Sequence, residues 1–97
     1  MLRGDSIVIM EIQLKLFGSS KLLSEEGTLL IKLPENSKIE QLRDSLEKII
    51  SEKHSKSNLG NLSKTAAFFS EKDEVIDDNY KLRNKEFISI IPPIGGG

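Results

Sequence analysis

The sequence contains no cysteine. That removes disulfides, cysteine-based zinc sites and thiol catalysis together, and it fits a reducing, cytoplasmic setting. Histidine occurs once, as His54, so neither a metal site nor a catalytic dyad can be assembled around an imidazole pair. Long hydrophobic runs are missing as well. No stretch approaches the roughly 18–20 apolar residues of a membrane span, and the N-terminal MLRGDSIVIM is too short in apolar residues for a signal-peptide core of about 7–15. Charge of one sign is also lacking: 14 basic and 15 acidic residues give a net charge of −1, which points to no polyanionic partner such as nucleic acid. Glycine forms one cluster only, the three residues that end the chain.

What remains is enough for one small domain. Ninety-seven residues bury roughly 60–65% of their unfolded surface, and 37% hydrophobic with 30% charged residues is an ordinary globular balance. Residues 10–17, MEIQLKLF, alternate as a half-buried strand with Ile12, Leu14 and Leu16 on one face and Glu11, Gln13 and Lys15 on the other. Phe17 breaks the alternation, either as a strand end tucked under a loop or as an apolar ring on the polar face. Residues 1–9 are expected to be a ragged extension outside the fold. GSSKLLSEEG, 18–27, reads as a loop pinned by Leu22 and Leu23, and TLLIKL, 28–33, as a second strand antiparallel to the first.

Ser37 and Glu40 have capping-box spacing. Behind them Ile39, Leu42, Leu46, Ile49 and Ile50 form one stripe of a helix over about residues 38–53, with Glu40, Arg43, Asp44, Glu47, Lys48, Glu52 and Lys53 on a solvated face. Residues 54–64 are polar and loop-like. TAAFF (65–69), VIDD (75–78) and FISII (87–91) read as strands, the short one burying Val75 or Ile76. Strand, strand, helix, strand, short strand, strand is an α+β order. A crossover helix after the second strand sets the last strand parallel to the first. The expectation is a ubiquitin-like β-grasp: a mixed sheet of four to five strands with one main helix on one face. A single helix leaves the other face open. If Ile88 and Ile90 join the core, Phe87, Ile91 and Phe17 lie on that open face as an apolar patch.

The ending IIPPIGGG, preceded by EVIDDNYKL and by LKLFG at the first strand, resembles the MoaD family, the small sulfur-carrier subunit of molybdopterin synthase. The family's members end in a strand, Pro-Pro, two variable residues and a terminal Gly-Gly. Here these are Ile91, Pro92-Pro93, Ile94-Gly95 and Gly96-Gly97. The resemblance covers about residues 10–97 and departs from the family at the turn before the last strand, where Arg83-Asn84-Lys85 replaces an Asp-Gly type. Asn84 is expected to take the left-handed conformation there.

The resemblance implies that the reactive group is the carboxylate of Gly97, made a glycyl adenylate and then a thiocarboxylate. Pro92 and Pro93 would form a stiff exit, and Ile94, Gly95 and Gly96 a slim thread that enters a partner's channel. Phe17, Val75, Phe87 and Ile91 match or adjoin the docking patch. The chain would be no enzyme alone and would bind no metal or cofactor itself. ATP and magnesium would serve an adenylating partner of the ubiquitin-activating type, with a persulfide sulfur donor. The large catalytic subunit of molybdopterin synthase, in a 2:2 heterotetramer, would take the sulfur for molybdenum cofactor biosynthesis. Alternatives are a ThiS-type carrier for thiamine synthesis, whose chains usually lack the Pro-Pro pair, and a ubiquitin-related modifier or tRNA-thiolation carrier.

Overall fold

The computed structural model describes residues 8–53, 59 and 61–93. Alternating apolar side chains produce strand β1, Ile9–Leu16, and β2, Thr28–Pro34. They pair antiparallel with Ile12 opposite Ile31 and Leu14 opposite Leu29. Strand β1 starts at Ile9, one residue earlier than expected, and the Val8 carbonyl accepts the Glu35 N–H at 2.7 Å beyond the strand pair. The segment between β1 and β2 is not a plain loop, since Gly18–Leu23 winds into a 3₁₀ turn. Of the two leucines expected to pin it, only Leu23 is buried. Leu22 is 62% exposed, because the tight turn can direct only one of the adjacent side chains inward.

Helix α1, Ile39–Lys53, lies against the sheet with Ile39, Leu42, Leu46 and Ile50 buried and Ile49 partly so. Its start differs from the expected Ser37–Glu40 box. The Ser37 hydroxyl instead donates to the Pro34 carbonyl at 2.7 Å, and Gln41 Oε1 accepts the Lys38 N–H at 2.7 Å. The next free amides are satisfied from far along the chain: Ile39 N–H donates to Tyr80 O at 3.0 Å and Glu40 N–H to Asp78 O at 3.2 Å. The helix start is therefore capped by tertiary structure.

Residues 54–58 and 60, with His54 among them, lie outside the described residues. The stretch read as loop ends in a short helix, α2, Leu62–Thr65, which shortens the following strand β3 to Ala67–Phe69. Leu59, Leu62 and Ala66 are buried against the core, so a polar stretch holds an apolar spacing that one helical turn satisfies. Strand β4 is only Val75–Ile76. Asp77 starts a turn, its carboxylate accepting the Asn79 N–H at 2.9 Å. Strand β5, Glu86–Ile91, closes the sheet.

The sheet order is β2-β1-β5-β3-β4. Strand β5 is parallel to β1 and antiparallel to β3. This is the β-grasp arrangement. Ile12, Leu14, Leu16, Ile88, Ile90 and Phe68 form the core with α1. At the turn into β5, the residue with positive φ is Lys85, at 65°, and not Asn84. Asn84 is occupied otherwise: its Oδ1 accepts the Glu11 N–H at 2.9 Å, while Lys85 N–H donates to Glu11 O at 2.7 Å. Asn84 thus mimics a strand residue beside β1, and the left-handed step falls on its neighbour.

Candidate functional site

Because α1 covers one face of the sheet, odd-numbered residues of β1 and β5 face away from the core. Phe87, Ser89 and Ile91 occupy that open face, as their alternation predicts. Phe17 follows Leu16 in extended conformation, φ −129° and ψ 152°, and so turns to the same side. It is not tucked under the loop. Phe17 is 45% exposed, Phe87 44%, Ile91 36% and Val75 72%.

The register places these residues in rows across the strands. Leu30, Gln13 and Phe87 form one row, and Thr28, Lys15, Ser89, Phe69 and Val75 the next. Ala67 lies opposite Ile91, and one step beyond the Leu16–Ile90 pair brings Phe17 beside them. Phe17 and Ile91 are therefore neighbours, with Phe87 four residues back along β5 and Ser89 between them on the same face. Val75 joins them through the half-buried Phe69, two strand spacings or about 10 Å from β5. Sequence reasoning missed Phe69, Ala67 and Leu30 as members of this face. A three-residue strand offers too little alternation to show which side Phe69 takes, although its neighbour Phe68 is fully buried.

Two features fix Phe17 at the end of β1. Its N–H donates to Ser20 Oγ at 2.8 Å, and the Ser20 hydroxyl donates back to the Phe17 carbonyl. Gly18 follows with φ +57°, a conformation disfavoured for residues with a Cβ. A Cβ there would lie 3.6 Å from Cγ and Cδ of Pro92. The Phe17 turn thus lies beside Pro92, the residue after β5, with glycine needed for the positive φ and not for the space. Pro93 is exposed beyond it. Ile94, Gly95, Gly96 and Gly97 lie outside the described residues.

The helix face expected to be merely solvated contains a structural cation. Arg43 Nε is 2.8 Å from Asp78 Oδ1. Its Nη1 donates to the carbonyls of Ser63 at 3.0 Å and Ala66 at 2.9 Å, and the guanidinium lies 4.7 Å from the Phe68 ring centroid. Arg43 ties α1 to α2 and to the start of β3.

A shallow cleft of about 180 Å³ opens near the other end of β5, lined by Glu71, Tyr80, Arg83 and Glu86 among others. Glu86 is buried, and its carboxylate accepts the Tyr80 hydroxyl and the Arg83 N–H, the latter at 2.9 Å. The Arg83 guanidinium is 3.8 Å away. Burial, then the hydrogen bond to Glu86, raises the Tyr80 pKa above 10.0. The hydrogen bond to Tyr80, then Glu86, raises that of Arg83. Glu71 Oε1 accepts the Phe87 N–H at 3.1 Å, where β3 has already ended. These groups hold the turn into β5 and contain no paired nucleophile and base. Among the described residues, no group of three or more His, Cys, Asp or Glu could hold a metal ion. No helix there is long and apolar enough to cross a membrane.

No family model matches the sequence, and no curated protein matches it. Solved structures do. Small archaeal modifier protein 1 (SAMP1) of Haloferax volcanii is similar at 16% identity and a TM-score of 0.65, over 90% of this chain and 99% of that one. A candidate subunit 1 of molybdopterin converting factor from Pyrococcus furiosus is 15% identical with a TM-score of 0.67, over 88% of this chain and 99% of that one. Subunit 1 in the complex of subunits 1 and 2 of molybdopterin-converting factor from Helicobacter pylori is 26% identical with a TM-score of 0.53, over 91% of this chain and 100% of its own length. In fold, therefore, this chain is a β-grasp domain that matches these small proteins over nearly their whole length.

Proposed function

We propose that the protein is a sulfur carrier whose reactive group is the Gly97 carboxylate, acting as the small subunit of a molybdopterin synthase in molybdenum cofactor biosynthesis. The observation that carries this reading is the juxtaposition at the end of β5. Pro92, from which the Ile94–Gly97 sequence departs, packs beside Gly18, next to the exposed Phe17 and Ile91. A partner that covers the open face is thereby within reach of the terminus. Four further residues span at most about 14 Å beyond Pro93, so activation at Gly97 and docking on the sheet are served by one protein surface.

A terminal carboxylate, with a pKa of about 3.3–3.7, is an anion at neutral pH and a poor electrophile. An adenylating partner with ATP and magnesium converts it to an acyl-adenylate. The terminal sulfur of a persulfide displaces AMP and leaves an acyl disulfide, which a second thiol of the partner cleaves to the thiocarboxylate as the two partner sulfurs join in a disulfide. Glycines let the end enter a narrow channel, and the prolines reduce the entropy lost on ordering it. The likeness to the Helicobacter pylori subunit, found in complex with its subunit 2, supports the choice of the synthase large subunit as partner.

A second reading is a protein modifier joined to lysines through Gly97, favoured by the likeness to SAMP1. One experiment separates the two. The purified chain is incubated with an adenylating enzyme of the ubiquitin-activating type, ATP, magnesium and a sulfur donor, and its intact mass is recorded. A gain of about 16 Da, oxygen replaced by sulfur, is expected, and deletion of Gly96 and Gly97 together, which leaves no terminal Gly-Gly, abolishes it with the unfolding midpoint unchanged. Lysine conjugates without that gain identify the modifier, and no change of mass in any product refutes carrier chemistry.

A further inference from the structure

The open face is not uniformly apolar. Lys15 lies in the row between Phe87 with Leu30 on one side and Phe17 with Ile91 and Ala67 on the other. Its own row contributes Ser89, Phe69 and Val75 on one flank and Thr28 on the other. The Lys15 ammonium is 5.5 Å from the Phe87 ring centroid, a cation–π distance that holds it over the patch. The flanking Thr28 and Ser89 carry hydroxyls and no charge. On the same strand and face the nearest carboxylate is Glu11, four residues or about 13 Å away, and Glu11 stands opposite Lys32. Among the described residues the ion pairs are Arg43–Asp78 and Arg83–Glu86, so Lys15 is compensated by none of them.

Any surface that spans Phe17 and Phe87 must cover this ammonium. Removing an unpaired charge from water is costly, and a carboxylate brought against it offsets that cost while fixing register. We infer that the partner of the open face is a protein surface that is apolar around its edge and places an Asp or Glu carboxylate against Lys15. The inference rests on the reading of this face as the docking surface. It goes beyond that reading by assigning the partner's charge and the residue that recognises it.

The test measures affinity of the full chain for the molybdopterin synthase large subunit of the same organism by titration calorimetry at several salt concentrations. Lys15→Met keeps the length and apolar stem and removes the charge. A loss of about 30-fold or more is expected, together with a weaker dependence on salt than the unaltered chain shows. Lys15→Glu should weaken binding further. Lys15 is exposed, so far-UV circular dichroism and the unfolding midpoint should stay as they are. Equal or tighter binding by Lys15→Met overturns the inference, since it means that the ammonium meets apolar surface or escapes to water at the rim. Phe17→Ala is the control: if it too leaves affinity unchanged, the docking reading itself fails, whereas a loss in Phe17→Ala alone removes only the role of Lys15.

Discussion

Replacing Arg43 by Met removes a guanidinium that joins three separate segments while keeping much of its apolar stem. The two hydrogen bonds to Ser63 O and Ala66 O come from a charged donor, worth about 1.5–3 kcal/mol each by general experience. The Arg43 side chain is 20% exposed, so water can reach part of the site and lowers the penalty for the abandoned carbonyls. Asp78 is 54% exposed, which holds the ion pair to under about 1 kcal/mol. Stacking on Phe68 adds about 0.5–1 kcal/mol. Because these contributions share one side chain and are not additive, a loss of about 2–4 kcal/mol is expected for Arg43→Met. In a domain of this size that lowers the melting temperature by about 10–25 °C. Arg43→Lys keeps the charge without the planar fork and should lose about half as much, whereas Asp78→Asn should lose under about 1 kcal/mol. Urea unfolding followed by circular dichroism gives the differences, provided the slope with denaturant stays constant. If Asp78→Asn is as damaging as Arg43→Met, the exposed ion pair and not the carbonyl clamp anchors α2. If Arg43→Met costs less than about 0.5 kcal/mol, the charge is only a solvated surface group.

Gly18→Ala introduces a Cβ at φ +57° and at ordinary contact distance from Pro92, so about 1–2 kcal/mol should be lost to backbone strain and little to collision; an unchanged urea midpoint would refute this. Tyr80→Phe should cost about 1.5–3 kcal/mol near neutral pH, because the buried Glu86 carboxylate loses a hydroxyl donor. The Tyr80 pKa is raised in the folded chain, first by burial and then by Glu86, so its contribution is fully present below pH 10.0 and is lost as pH rises through the higher folded value. The stability gap between the unaltered chain and Tyr80→Phe should therefore narrow above that pH, and a gap that widens in unfolding titrations would contradict the assignment.

The parts of the fold legible in the sequence are those whose signal is periodic and local. Ile12, Leu14 and Leu16 repeat every second residue, and Ile39, Leu42, Leu46 and Ile50 every third or fourth. Each set is buried as its period requires. The remaining features depend on partners distant in the chain. Arg43 looks like any charged residue on a helix until Ser63, Ala66 and Asp78 are brought to it. The cap of α1 has the same character. Ser37 and Glu40 satisfy a local motif, yet the amides of Ile39 and Glu40 are taken by Tyr80 and Asp78. At the turn before β5, propensity favours Asn84 for the left-handed step, and the bond from Glu11 to its side chain overrides it. Glu86 reads as a surface charge beside a strand and is buried because Tyr80 and Arg83 supply its donors. Of the candidate site, Phe17, Phe87 and Ile91 are visible in the alternation. Phe69, Ala67 and Lys15 acquire meaning only when the register sets them in rows.

That register also bears on why an open apolar face can exist without pairing to itself. Phe17, Leu30, Val75, Phe87 and Ile91 all remain exposed, a set of side chains each worth about 1.5–3 kcal/mol when fully buried. One helix cannot cover both faces of a five-stranded sheet, so the isolated domain forgoes part of this energy and any apolar partner gains it, less the cost of association. A second copy of the same chain is one such partner. Two copies laid face to face about a twofold axis would enclose two Lys15 ammoniums in one interface. Like charges in a space of low dielectric oppose contact, and of the nearest carboxylates Glu11 stands opposite Lys32 while Glu71 is engaged by the Phe87 N–H. A foreign surface with a carboxylate at that point suffers no such repulsion. The same lysine that would make an indifferent apolar contact weaker thus makes the choice between partners sharper, because it penalises self-association and favours an acidic complement.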